Sequence, residues 1–151
     1  MNLKSSADIV SFTWSDHYLL GFSEMDVTHR EFVEVVSALQ NAADSDFLAA
    51  LDLFIGHAQS HFGAEDKWMT ETGFPPADCH IDEHAAVLKS AYEVRERVVL
   101  EDYSVGRSFA AELQRWFPGH ADYLDSALAA WMVKRRLGGK PVVLKRNLGL
   151  K

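Results

Sequence analysis

A single cysteine, Cys79, stands among 151 residues, which excludes an internal disulfide framework and any metal site built from several thiolates. Long apolar runs are missing as well. No stretch approaches the ~20 uninterrupted apolar residues that a bilayer span requires. The opening MNLKSSADIVSF places Asp8 where a secretory signal needs its apolar run. Both absences predict a cytoplasmic chain without a membrane span. Strand patterning is sparse: only VVLK at 142–145 reads as extended, too short to define a sheet. The sequence shows no internal repeat and no low-complexity segment.

What is present is the composition of one compact domain, 48% apolar, 11% aromatic and 25% charged, at a length too short for two. The formal net charge of -7 conceals an asymmetry, because residues 134–151 hold seven Lys or Arg and no acid. The body is acidic and the tail is basic. An acidic body is a poor phosphate binder, so nucleic acid is not its partner. Docking to a protein partner is left to the tail.

Between about residue 26 and residue 136 apolar residues recur at helical spacing, and the breaks fall at Gly, Pro or Asp/Ser positions. The first predicted helix starts near Asp26 or Thr28, with Asp26 as N-cap, and carries Phe32, Val35, Val36 and Leu39 to about Asn41. The second begins at Ser45 or Asp46 and runs through Leu51, Phe54, Ile55, Ala58 and Phe62 to Met69, with Gly73 and Pro75-Pro76 ending it. The third runs from near Asp78 through Leu88, Ala91 and Val98 to Glu101 or Asp102. The fourth spans Ser104 to Arg136 and contains Pro118-Gly119, where a kink is expected. The predicted fold is all-α, an up-and-down four-helix bundle over 26–136 with an N-terminal arm (1–25) and a basic C-terminal tail (137–151).

Seven histidines are available for chemistry. His61 and Glu65 in HFGAED are four apart, as are His80 and His84 in HIDEH, so each pair projects from one helix face one turn apart. The fourth helix adds His120 and Asp125 in HADYLD, and the first adds His29 in MDVTH. Five imidazoles and two carboxylates can thus converge from four helices. Imidazole and carboxylate without thiolate suit iron, manganese or zinc. Seven such ligands are too many for one ion. Two six-coordinate ions sharing both carboxylates and a bridging oxide or hydroxide would keep one coordination position open, where a small molecule binds. The ferritin-like alternative needs Glu-x-x-His on two helices. No histidine here is preceded by Glu at that spacing. A histidine-rich set also carries less anionic charge and stabilises high oxidation states less, which favours reversible ligand binding over oxidation of a substrate.

At these residues the chain resembles the hemerythrin family, specifically its single-domain bacterial members. The matching pieces are Trp14 followed by Gly21 and MDVTH, then HFGAEDKWM, HIDEH and WFPGHADYLD, covering most of residues 14–132. The resemblance implies a non-haem di-iron centre, oxo- or hydroxo-bridged, that binds dioxygen reversibly and is not an enzyme. One iron would take His80, His84 and His120, the other His29 and His61, with Glu65 and Asp125 bridging. Dioxygen is the implied ligand, at the two-histidine iron, and nitric oxide is the other diatomic that position would admit. Two alternatives stay open: a di-iron oxidase, peroxidase or nitric-oxide-reducing enzyme at the same position, and an oxygen or redox sensor acting through its surface or tail.

Reversible oxygen binding requires an apolar pocket that limits water and proton access. Phe62, which follows a ligand, and Trp116, Phe117 and Ala121, within a turn of His120, are the candidates for it. The family commonly has Ile where this chain has Ala121, and Glu-Glu where it has Glu65-Asp66. Asp66 is expected to point away from the face of Glu65, with no role. His57, one turn before His61, is expected to pack or to lie at the surface; His17 belongs to the arm, and Cys79 is expected to be an inert thiol.

Overall fold

The computed structural model describes residues 11–136. Four amphipathic stripes produce the architecture. Helix α1 (Ser23–Asn41) buries Met25, His29, Phe32, Val33, Val36 and Leu39. Helix α2 (Asp44–Thr72) buries a longer series from Phe47 and Leu51 through Ala58 to Phe62, Glu65 and Met69. Helix α3 (Ala77–Val99) turns His80, His84, Ala91, Val94 and Val98 inward, and α4 (Tyr103–His120) does the same with Ala110, Leu113, Phe117 and His120. Each helix packs on its neighbour in sequence, and α4 closes the ring against α1. The result is the expected up-and-down four-helix bundle. No helix among the described residues is long and apolar enough to cross a membrane. The basic tail at 137–151, including VVLK, lies outside the described residues.

The punctuation follows local chemistry. Gly73 ends α2 in the left-handed region at φ 67°, and the Phe74 N–H donates to the Met69 carbonyl at 3.0 Å. A glycine takes this conformation without a Cβ clash. At the start of α1 the outcome differs from expectation: the helix begins at Ser23, so Asp26 lies inside its first turn and does not cap it. Its carboxylate reaches back instead, accepting the N–H groups of Leu20 at 2.8 Å and Gly21 at 3.1 Å. That tie fastens the segment before α1 to the bundle. Phe12 of the same segment is buried edge-on against Phe32 and Phe117, and its N–H donates to Gln40 Oε1.

In the fourth rod the disturbance expected at Pro118-Gly119 takes the form of a wider turn just beyond it. Helix α4 continues to His120, passes through a π-helical turn at Ala121–Asp125, and resumes as α5 (Ser126–Arg136). Pro118 removes one backbone donor from the ladder, and the wide turn that follows absorbs the irregularity with an inserted residue.

Two apolar clusters form the interior. The larger gathers Phe32, Phe54, Phe62 and Phe117 with the aliphatic residues toward Leu39 and Val98. The smaller joins Phe22, Met25, Met69, Phe74, Leu128 and Ala129 at the other end. The buried histidines and carboxylates of α1 to α4 and the π-helical turn sit between the two. Packing in the larger cluster is tight at Gly106, where an added Cβ would run into the Phe47 ring and come within 3.0 Å of Val98 Cγ2. Gly106→Val should therefore overpack the α2–α4 crossing and cost about 1–3 kcal/mol. Urea unfolding measures it, and a midpoint unchanged from wild type would contradict that reading of the crossing.

Candidate metal centre

Seven polar side chains lie in the middle of this apolar interior: His29, His61, Glu65, His80, His84, His120 and Asp125 are all buried. An interior that excludes water tolerates such groups only when they are paired or held by a metal. The i, i+4 spacings bring His61 beside Glu65 and His80 beside His84, as helix geometry requires. His120 and Asp125 need another device. At 3.6 residues per turn, side chains five apart diverge by about 140°, and the π-helical turn at Ala121–Asp125 brings both onto the interior face.

The groups fall into two sets. Glu65, His80, His84, His120 and Asp125 form one, and His29, His61 and Glu65 the other; within each set the potential ligand atoms all lie within 4.8 Å of one another. Each carboxylate divides its oxygens between the sets. Glu65 Oε2 lies 2.9 Å from His61 Nε2 and 3.5 Å from His29 Nε2, while Oε1 lies 3.2 Å from His84 Nε2 and 3.5 Å from His80 Nε2. Asp125 Oδ2 lies 3.0 Å from His29 Nε2, while Oδ1 lies 2.8 Å from His80 Nε2 and 3.2 Å from His120 Nε2. Several of these atoms are close without being hydrogen-bonded: His29 Nε2, Glu65 Oε1 and Asp125 Oδ2 are buried with no hydrogen-bond partner among the described residues. Lone pairs aimed at a common point leave this pattern, and a cation between them satisfies it. The residues present fit a pair of metal ions.

Electrostatics agree. Burial works to raise the Glu65 carboxyl, but the surrounding imidazoles of His61, His29 and His80 outweigh it and hold the group well below the usual carboxylate range. Asp125 is likewise lowered against its burial, through His120, His29 and His80. Burial works against the charged forms of His29 and His80, yet Asp125 and Glu65 prevail and push both up to about 9. Two consequences follow for metal-stripped protein. Both histidines have folded-state values above the ordinary 6.5, so their contribution to stability is complete below about pH 6.5 and is lost as pH rises through 9. A metal needs the imidazoles deprotonated, so binding near pH 7.5 should release about two protons, and affinity should climb up to pH 9. Adding zinc to stripped protein in dilute buffer with a pH indicator checks this, and absence of proton release would contradict the assignment of His29 and His80.

The expected pocket residues divide between the two sets. Phe117 stands edge-on to His29 at 5.2 Å and 87°. It also stacks on Phe32, whose edge meets His61. Phe62 stacks face to face on His84 at 4.2 Å and also approaches His61 at 5.0 Å. Trp116 stacks on His120 at 4.2 Å, on the three-histidine side. Ala121 is buried in the same apolar cluster as Phe32 and Phe117. His57 packs beside His61 and Phe32, and burial, with His61 and His29 nearby, pushes it down to about 4. Cys79 is exposed and unpaired.

Asp66 corrects the expectation made for it. Its Oδ1 accepts from His84 Nδ1 at 2.7 Å, so it turns toward α3 and touches the outer edge of the site. Glu83 was not anticipated at all: its Oε1 accepts from His120 Nδ1 at 2.8 Å. Phe32 was read only as a core residue. The signal for both acids was present as a carboxylate adjoining a candidate ligand in HFGAED and HIDEH.

A family profile described as hemerythrin HHE cation binding domain matches residues 20–132, the span that holds all seven groups. The chain belongs to the hemerythrin family. A bacteriohemerythrin of Ralstonia nicotianae is 38% identical over 122 residues, covering 81% of this chain and 89% of that protein. One from Stenotrophomonas maltophilia is 29% identical over 124 residues, covering 77% and 78%, and one from Pseudomonas aeruginosa is 25% identical over 122 residues, covering 75% and 79%. No solved structure matches at comparable significance. The cation-binding character of the hemerythrin domain thus coincides with the only two clusters of potential ligands among the described residues.

Proposed function

We propose that this hemerythrin is a non-haem di-iron protein that binds dioxygen reversibly, for storage, delivery, scavenging or sensing, and is not an enzyme. The observation that carries the reading is the division of both buried carboxylates between the two histidine sets. A residue that serves two sets at once is what a bridged metal pair needs. His80, His84 and His120 would hold one iron and His29 and His61 the other, with Glu65 and Asp125 bridging. A pair of irons held by these residues would supply the electrons for reversible dioxygen binding.

The chain's own residues then act by orientation and exclusion. Five Nε2 atoms are held inward from four helices. The two-histidine set has one fewer ligand, and three apolar rings face it: Phe32 and Phe117 present ring edges to His61 and His29, and Phe62 lies beside His61. None of these rings carries an exchangeable proton, so they shield the site from the proton delivery that promotes irreversible oxidation. Ala121, beside His120, is assigned to the same pocket wall.

The test is optical. Iron-loaded protein, reduced without air, should gain a ligand-to-iron absorption band when oxygen is admitted and lose it when oxygen is removed, through repeated cycles. A single irreversible passage to an oxidised form would favour the oxidase or redox-sensor reading instead.

A further inference from the structure

The two halves of the centre are supported unequally from outside. In the three-histidine set, His84 Nδ1 donates to Asp66 Oδ1 at 2.7 Å, and His120 Nδ1 donates to Glu83 Oε1 at 2.8 Å. Each bond crosses between helices, from α3 to α2 and from α4 to α3. A carboxylate accepts only from a protonated Nδ1, so each bond fixes the tautomer that leaves the Nε2 lone pair facing inward and makes that nitrogen a better donor. The same two rings are also held on their faces, His84 by Phe62 and His120 by Trp116, both at 4.2 Å. Among the described residues, neither His29 Nδ1 nor His61 Nδ1 of the two-histidine set has a hydrogen-bond partner, whereas in the three-histidine set only His80 Nδ1 lacks one. Neither ring is oriented by an outer carboxylate as His84 and His120 are.

We propose that Asp66 and Glu83 are positioning residues that make the three-histidine set the tighter of the two metal sites, so that it fills first and empties last. The proposal rests on the two-metal reading above. Outer partners of this kind are worth roughly 10–100-fold each in metal affinity. The Asp66 and Glu83 side chains are 33% and 46% exposed, so water weakens their hold and the lower end applies, about tenfold each.

Metal-stripped full-length protein, titrated anaerobically with cobalt(II) and back-titrated with a chelator, reads the stepwise affinities directly. Wild type should take up two equivalents, the first about a hundredfold tighter than the second. Asp66→Ala and Glu83→Ala should each weaken the first step about tenfold and leave the second alone, and the double variant should bring the two steps nearly together. Asp66→Asn and Glu83→Gln, which keep an acceptor oxygen without its charge, should fall between. Melting of the stripped variants should match wild type, since both carboxylates are partly exposed. Equal steps in wild type, or equal weakening of both steps in the variants, would overturn the proposal while leaving a two-metal centre in place. Uptake of fewer than two equivalents by wild type would overturn the two-metal reading and this proposal with it.

Discussion

Glu65→Ala should reduce the metal content from two ions per chain to fewer than one. Glu65 is buried in the middle of the site and places Oε2 beside His29 and His61 and Oε1 beside His80 and His84. Its removal deletes a ligand from both sets at once. It also takes away one of the two buried negative charges among the five imidazoles, so the histidines and two dications would face one another with half the buried compensating charge. Asp125→Ala should act in the same direction, because its oxygens are divided between His29 and the His80–His120 side. Glu65→Gln keeps the volume and separates loss of charge from loss of packing. Metal analysis after purification is the measurement, and full two-ion occupancy in Glu65→Ala would remove that residue from the centre.

Stripping the metal should lower the melting temperature by roughly 10 °C. The seven groups occupy the space between the two apolar clusters, and a buried polar atom without a partner costs about 1–3 kcal/mol. His29 Nε2, Glu65 Oε1 and Asp125 Oδ2 are in that condition. A ligand that binds only the folded chain contributes about 4 kcal/mol at a thousand times its dissociation constant. For a chain of this length each kcal/mol moves the midpoint by about 2–4 °C. Thermal melts of iron-loaded and chelator-stripped protein provide the comparison, and superimposable curves would place the metal outside the core.

The helices and the buried cluster of histidines and carboxylates were legible for the same reason. Side chains at i, i+3 and i+4 share a helix face, so the run of Phe32, Val36 and Leu39 declares a buried stripe and the pairs His61/Glu65 and His80/His84 declare a grip. The features that escaped depend on contacts between helices or on departures from that spacing. Asp26 is an acid at a helix start, and propensity alone makes it a cap; only the position of the Leu20 and Gly21 amides shows that it faces backward. The π-helical turn at Ala121–Asp125 cannot be read from Pro118-Gly119, which announces a disturbance but not its form. Asp66 neighbours Glu65 in sequence and therefore leaves its face, yet the direction it takes leads to His84 on the adjacent helix. Proximity to His120 along the chain suggested one common role for Trp116 and Phe117. Consecutive helical positions diverge by about 100°, and the two rings meet histidines of different sets.

The most direct test of the account is the metal content of wild-type protein purified from cells grown with ample iron, measured by elemental analysis against protein concentration. Two iron ions per chain are expected, because two histidine sets share two carboxylates and neither set alone uses all seven groups. One zinc ion per chain and no iron would contradict it.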